Sequence, residues 1–428
     1  MRLGGRLQAA IDILNDIKTR HRPAAEALKD WGLNHRFAGA HDRAAIGNIV
    51  YDTLRCQSSL CWRMDSQDYK DAAFGALLTG GGLTFSEIDA ALHTDRFAPA
   101  ALSTDRRNAW QSRLLDNAPP FIRADVPEWC TNALTESFGA DWIEEGHALS
   151  ERPPLDLRVN RLKGLGIISK ISKALPYAAP IPWFSQTLRV APIQKLERHP
   201  NVQTEAEFQK GYFEVQDLGS QIVARLVGAK AGMQVLDYCA GAGGKTLALA
   251  ADMENRGQIH AYDADKARLA PIYDRLRRAG ARNVQIHSTH AALDNLKGQM
   301  DLVLLDAPCT GSGTWRRRPD AKWRLSNNQL NQRIREQAQV LTSALPYLKE
   351  GGRLVYITCS LFPEENNHQI MYFLQQNPRF HALNLRPLWQ EIIDHHAPHP
   401  TFIEQGLLLS PARTQSDGFF ISILEKTV

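Results

Sequence analysis

The residues best suited to chemistry lie in the stretch DLVLLDAPCTGSGTWRRRPDAKWR, residues 301–324. It begins with four consecutive apolar residues, 302–305, as a strand does when a parallel sheet is covered on both faces. Asp306 ends this predicted strand, Pro308 stiffens the turn, and Cys309 places a thiol where open α/β sheets hold their ligands. An acid and a thiol at that edge are suited to covalent catalysis.

A second cysteine follows another predicted buried strand. The run GGRLVYITCS, residues 351–360, contains Cys359 near its end, and PEEN at 363–366 begins the next helix. Cys309 and Cys359 therefore both end parallel strands, and either thiol could approach one face of a planar base. Position alone does not rank the two as nucleophiles.

A glycine-rich loop follows a third predicted strand. QVLDY at 234–238 reads as the strand, CAGAGGKT at 239–246 as the loop, and LALAA as the start of a helix. This order points unpaired backbone N–H groups and a helix N-terminus at a ligand. The next strand ends in Asp263, about twenty residues after the loop, a spacing at which a carboxylate reaches the ribose of a nucleoside cofactor.

Two other protein classes use glycine loops. A Walker loop needs a glycine six residues before its lysine, and Cys239 occupies that position ahead of Lys245, which disfavours an NTPase. The loop alone does not distinguish a nicotinamide dehydrogenase. That class, however, leaves the two cysteines and the basic segment after Cys309 unexplained.

This basic segment, residues 315–324, is called the basic arm. It follows a glycine-rich loop and alternates tryptophans with cations: Trp315, Arg316, Arg317, Arg318, Lys322, Trp323 and Arg324. Such a mixture is suited to phosphates and stacked bases. The net charge of the chain, +4, permits a nucleic-acid partner without requiring one.

The elements that position these groups fall into three predicted domains. Helical periodicity predicts an all-helical domain over 1–145, and short strand-like runs predict a small α+β domain over 146–207. Alternating strands and helices predict a doubly wound α/β domain over 208–428. In the small domain, Arg158, Asn160, Arg161 and Lys163 either line a groove for single-stranded RNA or protect an exposed strand edge.

Composition excludes several classes of protein. A chain of 428 residues with 43% hydrophobic and 22% charged residues is typical of a soluble, multidomain protein. Six cysteines without a CxxC pair indicate neither a disulfide framework nor a zinc site, and the cluster His395, His396, His399 reads as a solvated loop. Asp12 and Asp16 interrupt the N-terminal apolar pattern, which argues against a signal peptide or membrane span. We expect a cytoplasmic protein, monomeric and without metal.

Three motifs carry a resemblance to a known family. YCAGAGGKT, DAPCTGSGTWRRRPDAKWR and YITCSLFPEEN occur in order with suitable spacing, and here the chain resembles the Sun/RsmB-type RNA cytosine-5 methyltransferases, which use S-adenosylmethionine. QDLGSQ at 216–221 is similar to the start of the family's catalytic domain, LDLRVNRLK to its small RNA-binding domain, and residues 42–55 to the NusB-like domain of the bacterial ribosomal branch. The resemblance implies a class I Rossmann-like fold and small-subunit ribosomal RNA as the partner.

The resemblance also implies residue roles. Asp263 would hold the cofactor ribose, Asp306 the target cytosine near its ring nitrogen, and Cys359 would be the nucleophile, with Cys309 helping to release product. Asp306 must carry or share a proton there, which burial beside a base would favour. The cofactor-binding residues implied are Cys239, Ala240, Gly241, Ala242, Gly243, Gly244, Lys245, Asp263, Arg268 and Asp306. Those implied for RNA are Pro308, Arg316, Arg317, Arg318 and Lys322.

One segment departs from the family, and three alternatives remain. Where the family has an acidic residue after the third strand, this chain reads HSTHAAL at 287–293, so no adenine contact is assigned. Transfer RNA methylation, DNA cytosine-5 methylation and a non-catalytic RNA-binding assembly factor are the alternatives. The Thr-Cys-Ser element around Cys359 argues against the DNA class, and the intact Asp306, Cys309 and Cys359 argue against a non-catalytic factor.

Overall fold

The computed structural model describes residues 1–164, 166–393 and 395–427, which form two compact units. The first comprises Met1–Pro153, Pro192–Pro200 and Trp315–Leu325. The second comprises the remaining segments, Pro154–Ala191, Asn201–Thr314 and Ser326–Val428. Within the described residues, no helix is both long and apolar enough to cross a bilayer.

The first unit is helical, as the periodicity predicts. Its core is filled by apolar residues at helical spacing, such as Leu7 and Leu14 on α1 and Ile46 and Val50 on α3, all almost fully buried. The helices from the N-terminal part of the chain are α1 Leu3–Arg20, α2 Ala24–Asn34, α3 Ala40–Arg55, α4 Gln57–Met64, α5 Tyr69–Leu78, α6 Phe85–His93, α7 Thr104–Ser112, α8 Pro120–Arg123, α9 Thr131–Phe138 and α10 Trp142–Ala148.

The second unit contains a small and a large sheet with their helices. The strands are β1 Leu155–Val159, β2 Ala178–Pro180, β3 Thr187–Val190, β4 Phe213–Val215, β5 Gln234–Asp237, β6 Gln258–Tyr262, β7 Val284–His287, β8 Met300–Asp306, β9 Leu348–Thr358, β10 Phe380–Ala382, β11 Thr401–Ile403, β12 Gly406–Leu409 and β13 Phe419–Lys426.

The helices that follow α10 in the chain are α11 Ile167–Ala174, α12 Ala206–Gln209, α13 Leu218–Leu226, α14 Gly244–Asp252, α15 Lys266–Leu269, α16 Ile272–Ala279, α17 Pro319–Arg324, α18 Asn327–Ala344, α19 Asn367–Gln376, α20 Arg386–Ile392 and α21 Pro411–Thr414. Short 3-10 helices lie at Leu115–Asn117, Glu128–Cys130, Gly139–Asp141, Arg161–Lys163, Val202–Thr204, His290–Leu296, Ser312–Thr314, Leu345–Tyr347 and Pro363–Glu365.

The small sheet has the antiparallel order β2-β3-β1-β4. Its fourth strand, β4, lies beyond residue 207, so this sheet extends past the predicted start of the catalytic domain. A cluster that includes Leu157, Ile171 and Phe213 forms its core. The strand β1 and the helix α11 give this region the α+β character that the sequence predicts.

The large sheet confirms the predicted Rossmann-like fold. Its order is β11-β12-β13-β9-β8-β5-β6-β7, with β10 paired to β13, and the five strands β9, β8, β5, β6 and β7 are parallel. The C-terminal strand β13 pairs antiparallel with both β9 and β12. Because β5, β6, β8 and β9 are parallel neighbours, the segments that follow them lie at one edge of the sheet.

The basic arm forms part of the first unit and is built into its core. Trp315 is fully buried, and α17 carries Lys322 to a position where none of its surface is exposed. The Lys322 ammonium donates hydrogen bonds to the Arg55 carbonyl at 2.8 Å and to Ser150 Oγ at 3.2 Å. Burial lowers the pKa of Lys322 to about 8, although the nearby carboxylate of Asp125 opposes this shift. These side chains stabilise the helical fold.

We predict that Lys322→Ala destabilises the protein by about 3 kcal/mol or more, because it removes the cation near buried Asp125 and leaves buried acceptors unpaired. Denaturant unfolding followed by circular dichroism measures this change. Lys29→Ala, on the exposed face of α2, is the control and should change stability by less than about 0.5 kcal/mol. Equal stability of the two variants would contradict the structural role of Lys322.

Candidate active site

The glycine loop joins β5 to α14 through two residues with left-handed backbone. Gly241 has φ 49° and Gly243 has φ 81°, a region that disfavours residues with a Cβ atom. A Cβ on Gly243 would also lie 2.5 Å from the side chain of Ile272. The loop therefore needs glycine at 243 for both its conformation and its packing.

Two arginines hold the carbonyl groups of this loop. Arg275 Nη1 donates to the Ala242 carbonyl at 2.7 Å, and Arg158 Nη1 donates to the Gly244 carbonyl at 2.7 Å. Asn160 donates to the carbonyls of Gly211 and Ala279, both at 2.8 Å. An RNA groove at Arg158 and Asn160 is therefore contradicted, because their side chains are bonded to the protein itself.

Two carboxylates lie beside the loop. Asp263, after β6, is buried and accepts from the Gly241 amide at 2.9 Å, with the exposed Arg268 guanidinium 3.8 Å away. Asp237, at the end of β5, accepts from Thr246 Oγ1 at 2.6 Å through Oδ2, while its buried Oδ1 has no hydrogen-bond partner among the described residues. Burial raises the pKa of Asp237 to about 7.

Asp306 ends β8 and forms an ion pair across the sheet edge. Its Oδ2 lies 2.7 Å from Nζ of Lys245, which is almost fully buried in the first turn of α14. The Asp306 side chain itself is 37% exposed. The expectation that Asp306 carries or shares a proton beside a bound base stays a prediction, and the structure places the Lys245 ammonium against its carboxylate.

The two predicted thiols meet after β8 and β9. Cys309 Sγ and Cys359 Sγ are 3.3 Å apart, close enough for a hydrogen bond. This hydrogen bond and, after it, burial raise the pKa of Cys309 well above its usual range. Either sulfur can be the donor in this contact, and the raised pKa of Cys309 favours Cys309.

A buried acid lies behind the thiols. Glu365, in the PEEN motif, is fully buried and accepts from the Thr310 amide at 2.8 Å and from Thr310 Oγ1 at 2.5 Å. It also accepts from Ser360 Oγ and, at 2.9 Å, from Gln337 Nε2. Burial raises the pKa of Glu365.

The residues predicted to contact RNA differ in how far they are buried. Lys322 and Arg316 are buried within the first unit, which contradicts a role in holding phosphates. Arg317 is half-buried and Arg318 is exposed, so for these two the RNA contact stays a prediction. Pro308 is half-buried between Asp306 and Cys309, and its carbonyl accepts from Gln337 Nε2 at 2.9 Å.

Sequence reasoning missed Asp237 and Glu365. Asp237 was visible as the one acid in the otherwise apolar strand QVLDY, directly before the glycine loop. Glu365 was visible as an acid six residues after Cys359, but its role depends on contacts with Thr310, far away in the chain. Within the ranges that the structure describes, no cluster of three or more His, Cys, Asp or Glu is arranged to hold a metal ion.

Comparison with known proteins agrees with this geometry. A model of the family described as 16S rRNA methyltransferase RsmB/F matches residues 224–425. Residues 224–425 are therefore similar to an RsmB/F-type methyltransferase domain. The prediction that this domain takes S-adenosylmethionine as its cofactor is confirmed, since the family is dependent on that cofactor.

Curated relatives match over part of their length. Ribosomal RNA small subunit methyltransferase B from Citrobacter koseri is 34% identical over 260 residues, which covers 59% of this chain and 58% of the relative. The protein of that name from Salmonella typhi is 34% identical over 256 residues, with the same coverage. The chain thus spans somewhat more than half the length of these relatives.

Three solved structures share the fold of this chain over the RsmB/F-like segment and over residues outside it. The crystal structure of PH0851 has a TM-score of 0.73 and 24% identity, with full coverage of both chains. A methyltransferase homologue from Pyrococcus horikoshii has a TM-score of 0.58 and 27% identity, over 72% of this chain and 97% of the other. NSun6 from Pyrococcus horikoshii, solved with SFG, has a TM-score of 0.60 and 22% identity over 71% of this chain and 98% of the other.

We predict that the stability of Asp237→Asn relative to the wild type rises with pH. The raised pKa means that the wild-type carboxyl is buried protonated. The protonated carboxyl of Asp237 contributes fully to the stability of the wild type below about pH 4. This contribution to the free energy of unfolding falls by at most about 4 kcal/mol as pH rises through 7. Thermal unfolding between pH 4 and pH 8 measures the difference, with exposed Asp274→Asn as the control. A constant difference across this range would show that Asp237 is not buried as the neutral acid.

Proposed function

We propose that this protein transfers a methyl group from S-adenosylmethionine to carbon 5 of cytosine in RNA, through a covalent cysteine adduct. The observation that carries the proposal is the pair of thiols 3.3 Å apart, beside the Asp306–Lys245 ion pair and the glycine loop, at one sheet edge. We further propose small-subunit ribosomal RNA as the substrate, as for the curated relatives named above. Such a substrate implies a cytoplasmic location.

Carbon 5 of cytosine is a poor nucleophile until a thiolate adds to carbon 6. Cys359 is the group that adds, because its Thr-Cys-Ser motif matches the nucleophile motif of the family that the chain resembles. Cys309 lies 3.3 Å away and can donate a hydrogen bond to the thiolate. The new carbon–sulfur bond moves an electron pair towards the ring nitrogen and makes carbon 5 nucleophilic.

The electron pair that reaches the ring nitrogen needs a proton. Asp306 lies at the same sheet edge, and Lys245 supplies the proton-bearing group behind it at 2.7 Å. A proton passes from Asp306 to the ring nitrogen, and this leaves a carboxylate that the Lys245 ammonium stabilises. The proton returns along this path when the adduct breaks.

The loop and strand ends fit the cofactor. Bound S-adenosylmethionine supplies an electrophilic methyl group. Asp263 accepts from the ribose hydroxyls, and the unpartnered Oδ1 of Asp237 is suited to a cationic or N–H group beneath the loop. After the methyl group has reached carbon 5, a water molecule accepts the carbon 5 proton and the C–H electron pair re-forms the double bond between carbons 5 and 6. Cys359 then leaves carbon 6 as a thiolate, which accepts a hydrogen bond from Cys309.

Transfer of labelled methyl groups to ribosomal RNA, transfer RNA and DNA, followed by mapping of the product, tests the function. We expect 5-methylcytidine in RNA extracted from small ribosomal subunits that lack the modification. Product only in transfer RNA would show that transfer RNA, and not ribosomal RNA, is the substrate. Product only in DNA would show that the protein is a DNA methyltransferase. No transfer to any of the three would favour a non-catalytic factor.

We predict different fates for the two thiols. Cys359→Ala should abolish methyl transfer and form no covalent complex, because the adding sulfur is gone. Cys309→Ala should still allow attack and methylation but slow release, so a protein–RNA adduct should accumulate. Denaturing gel electrophoresis with labelled RNA measures the adduct, and Cys61→Ala, in the first unit, is the control in which neither thiol is changed. An adduct with Cys359→Ala and none with Cys309→Ala would reverse the assignment.

We predict that Asp263→Ala weakens S-adenosylmethionine binding, because a carboxylate that accepts from ribose hydroxyls contributes roughly 1.5–3 kcal/mol per bond. Isothermal titration calorimetry measures the affinity. Asp265→Ala, two residues further along and exposed, is the control for changes to the local turn. Unchanged affinity in Asp263→Ala would remove this residue from the cofactor site.

A further inference from the structure

We propose that Glu365 is the positioning residue that holds Cys309 and Cys359 against each other. This proposal rests on the proposed function, in which Cys359 attacks and Cys309 supports it. The assignment follows from contacts that a single carboxylate makes to the residue after each thiol. Glu365 itself touches neither the substrate nor the sulfurs in this assignment.

The carboxylate is saturated with donors. Oε1 accepts from the Thr310 amide at 2.8 Å and from Gln337 Nε2 at 2.9 Å. Oε2 accepts from Thr310 Oγ1 at 2.5 Å and from Ser360 Oγ. Each oxygen has two lone pairs, so all four acceptor sites are used. No neutral side chain of the same shape offers four acceptors.

These contacts fix both thiol-bearing turns. Thr310 follows Cys309 directly, and it is bound to Glu365 through its amide and its hydroxyl. Ser360 follows Cys359 directly, and its hydroxyl is bound to the other carboxylate oxygen. Glu365 therefore ties together two turns that are 50 residues apart in the chain and sets the distance between their sulfurs.

Neighbouring groups keep Glu365 in place. Its own carbonyl accepts from the Tyr356 hydroxyl at 2.7 Å, which anchors the residue to β9. The next residue, Asn366, accepts from Thr358 Oγ1 at 2.5 Å and donates to the Ser360 carbonyl at 2.9 Å. Gln337 on α18 also donates to the carbonyl of Pro308, so both sides of the Cys309 turn are held. The acid is thus rigid as well as buried.

A glutamine at this position would disrupt the arrangement. Its single oxygen accepts two hydrogen bonds, and its amide would face hydrogen-bond donors of Thr310 or Ser360. The Cys309 turn would move away from Cys359, and the hydrogen bond between the sulfurs would be lost. Without that bond the Cys359 thiolate is less stable, so it forms at higher pH.

The test measures the reactivity of Cys359 in the full-length protein without RNA or cofactor. The rate of alkylation by iodoacetamide is followed against pH, and the Cys359 peptide is quantified by mass spectrometry. The midpoint is the pH at which this rate reaches half of its maximum. We expect Glu365→Gln to raise the midpoint by about one pH unit. Cys309→Ala should raise it by a similar amount, and the double variant no further, because both changes remove the same hydrogen bond.

Matched variants separate positioning from general destabilisation. Glu336→Gln changes an acid on α18 that bonds to Gln332 and Arg333, and it should leave the midpoint unchanged. Thr310→Val removes one donor to Glu365 and should raise the midpoint, whereas Thr310→Ser keeps the hydroxyl and should restore it. These two report on the contact even where Glu365→Gln does not fold.

Two results would overturn the proposal: a midpoint that moves with Cys309→Ala but not with Glu365→Gln or Thr310→Val, or shifts that add in the double variant. Because no substrate is present, these outcomes do not depend on the reaction that the protein catalyses. Methyl transfer is then measured separately. Glu365→Gln should lower kcat between about 10- and 100-fold with little change in KM for RNA, since it misplaces the reacting groups without touching the substrate.

Discussion

The pairing of β8 with β9 is the constraint on which the site depends. These parallel strands are hydrogen-bonded neighbours, and their register sets Asp306 opposite Ile357. The turns that follow them must therefore lie side by side, which brings Cys309 and Cys359 within 3.3 Å. On the other side of β8, β5 brings the glycine loop and Lys245 to Asp306. One sheet edge thus places the two thiols, the Asp306–Lys245 ion pair and the glycine loop together.

Much of this arrangement could be predicted because it depends on local patterns. Buried parallel strands read as continuous apolar runs, and QVLD, LVLLD and the end of β9 all do so. The polar or reactive residue that ends each run marks the carboxyl edge of the sheet. Since parallel strands share that edge, the closeness of Asp306, Cys309 and Cys359 follows from topology without knowledge of any side-chain contact. The short edge strands β10 and β11 carry no such pattern and were not predicted.

Predictions that rest on the residue types of a segment, without a spatial constraint, were less accurate. Arginine, lysine and tryptophan in the basic arm suggest RNA, but the same residues can be buried when carbonyls and carboxylates meet them. Lys322 is such a case, because Arg55, Ser150 and Asp125 that surround it lie far away in the sequence. Glu365 shows the same limit in the second unit, where its partners come from three separate segments. Contacts of this kind appear only once the chain is folded.

The discontinuity of the first unit has a consequence for synthesis. Residues 1–153 leave the ribosome early, yet Lys322 and Trp323, which pack against the helices of the first unit, leave only after most of the parallel strands have been made. Until then, the Arg55 carbonyl and the Ser150 hydroxyl lack the ammonium to which they are bonded in the folded protein. Folding of the N-terminal helices therefore cannot finish before the loop that carries Cys309 has been translated. Completion of the first unit thus depends on synthesis of much of the second unit.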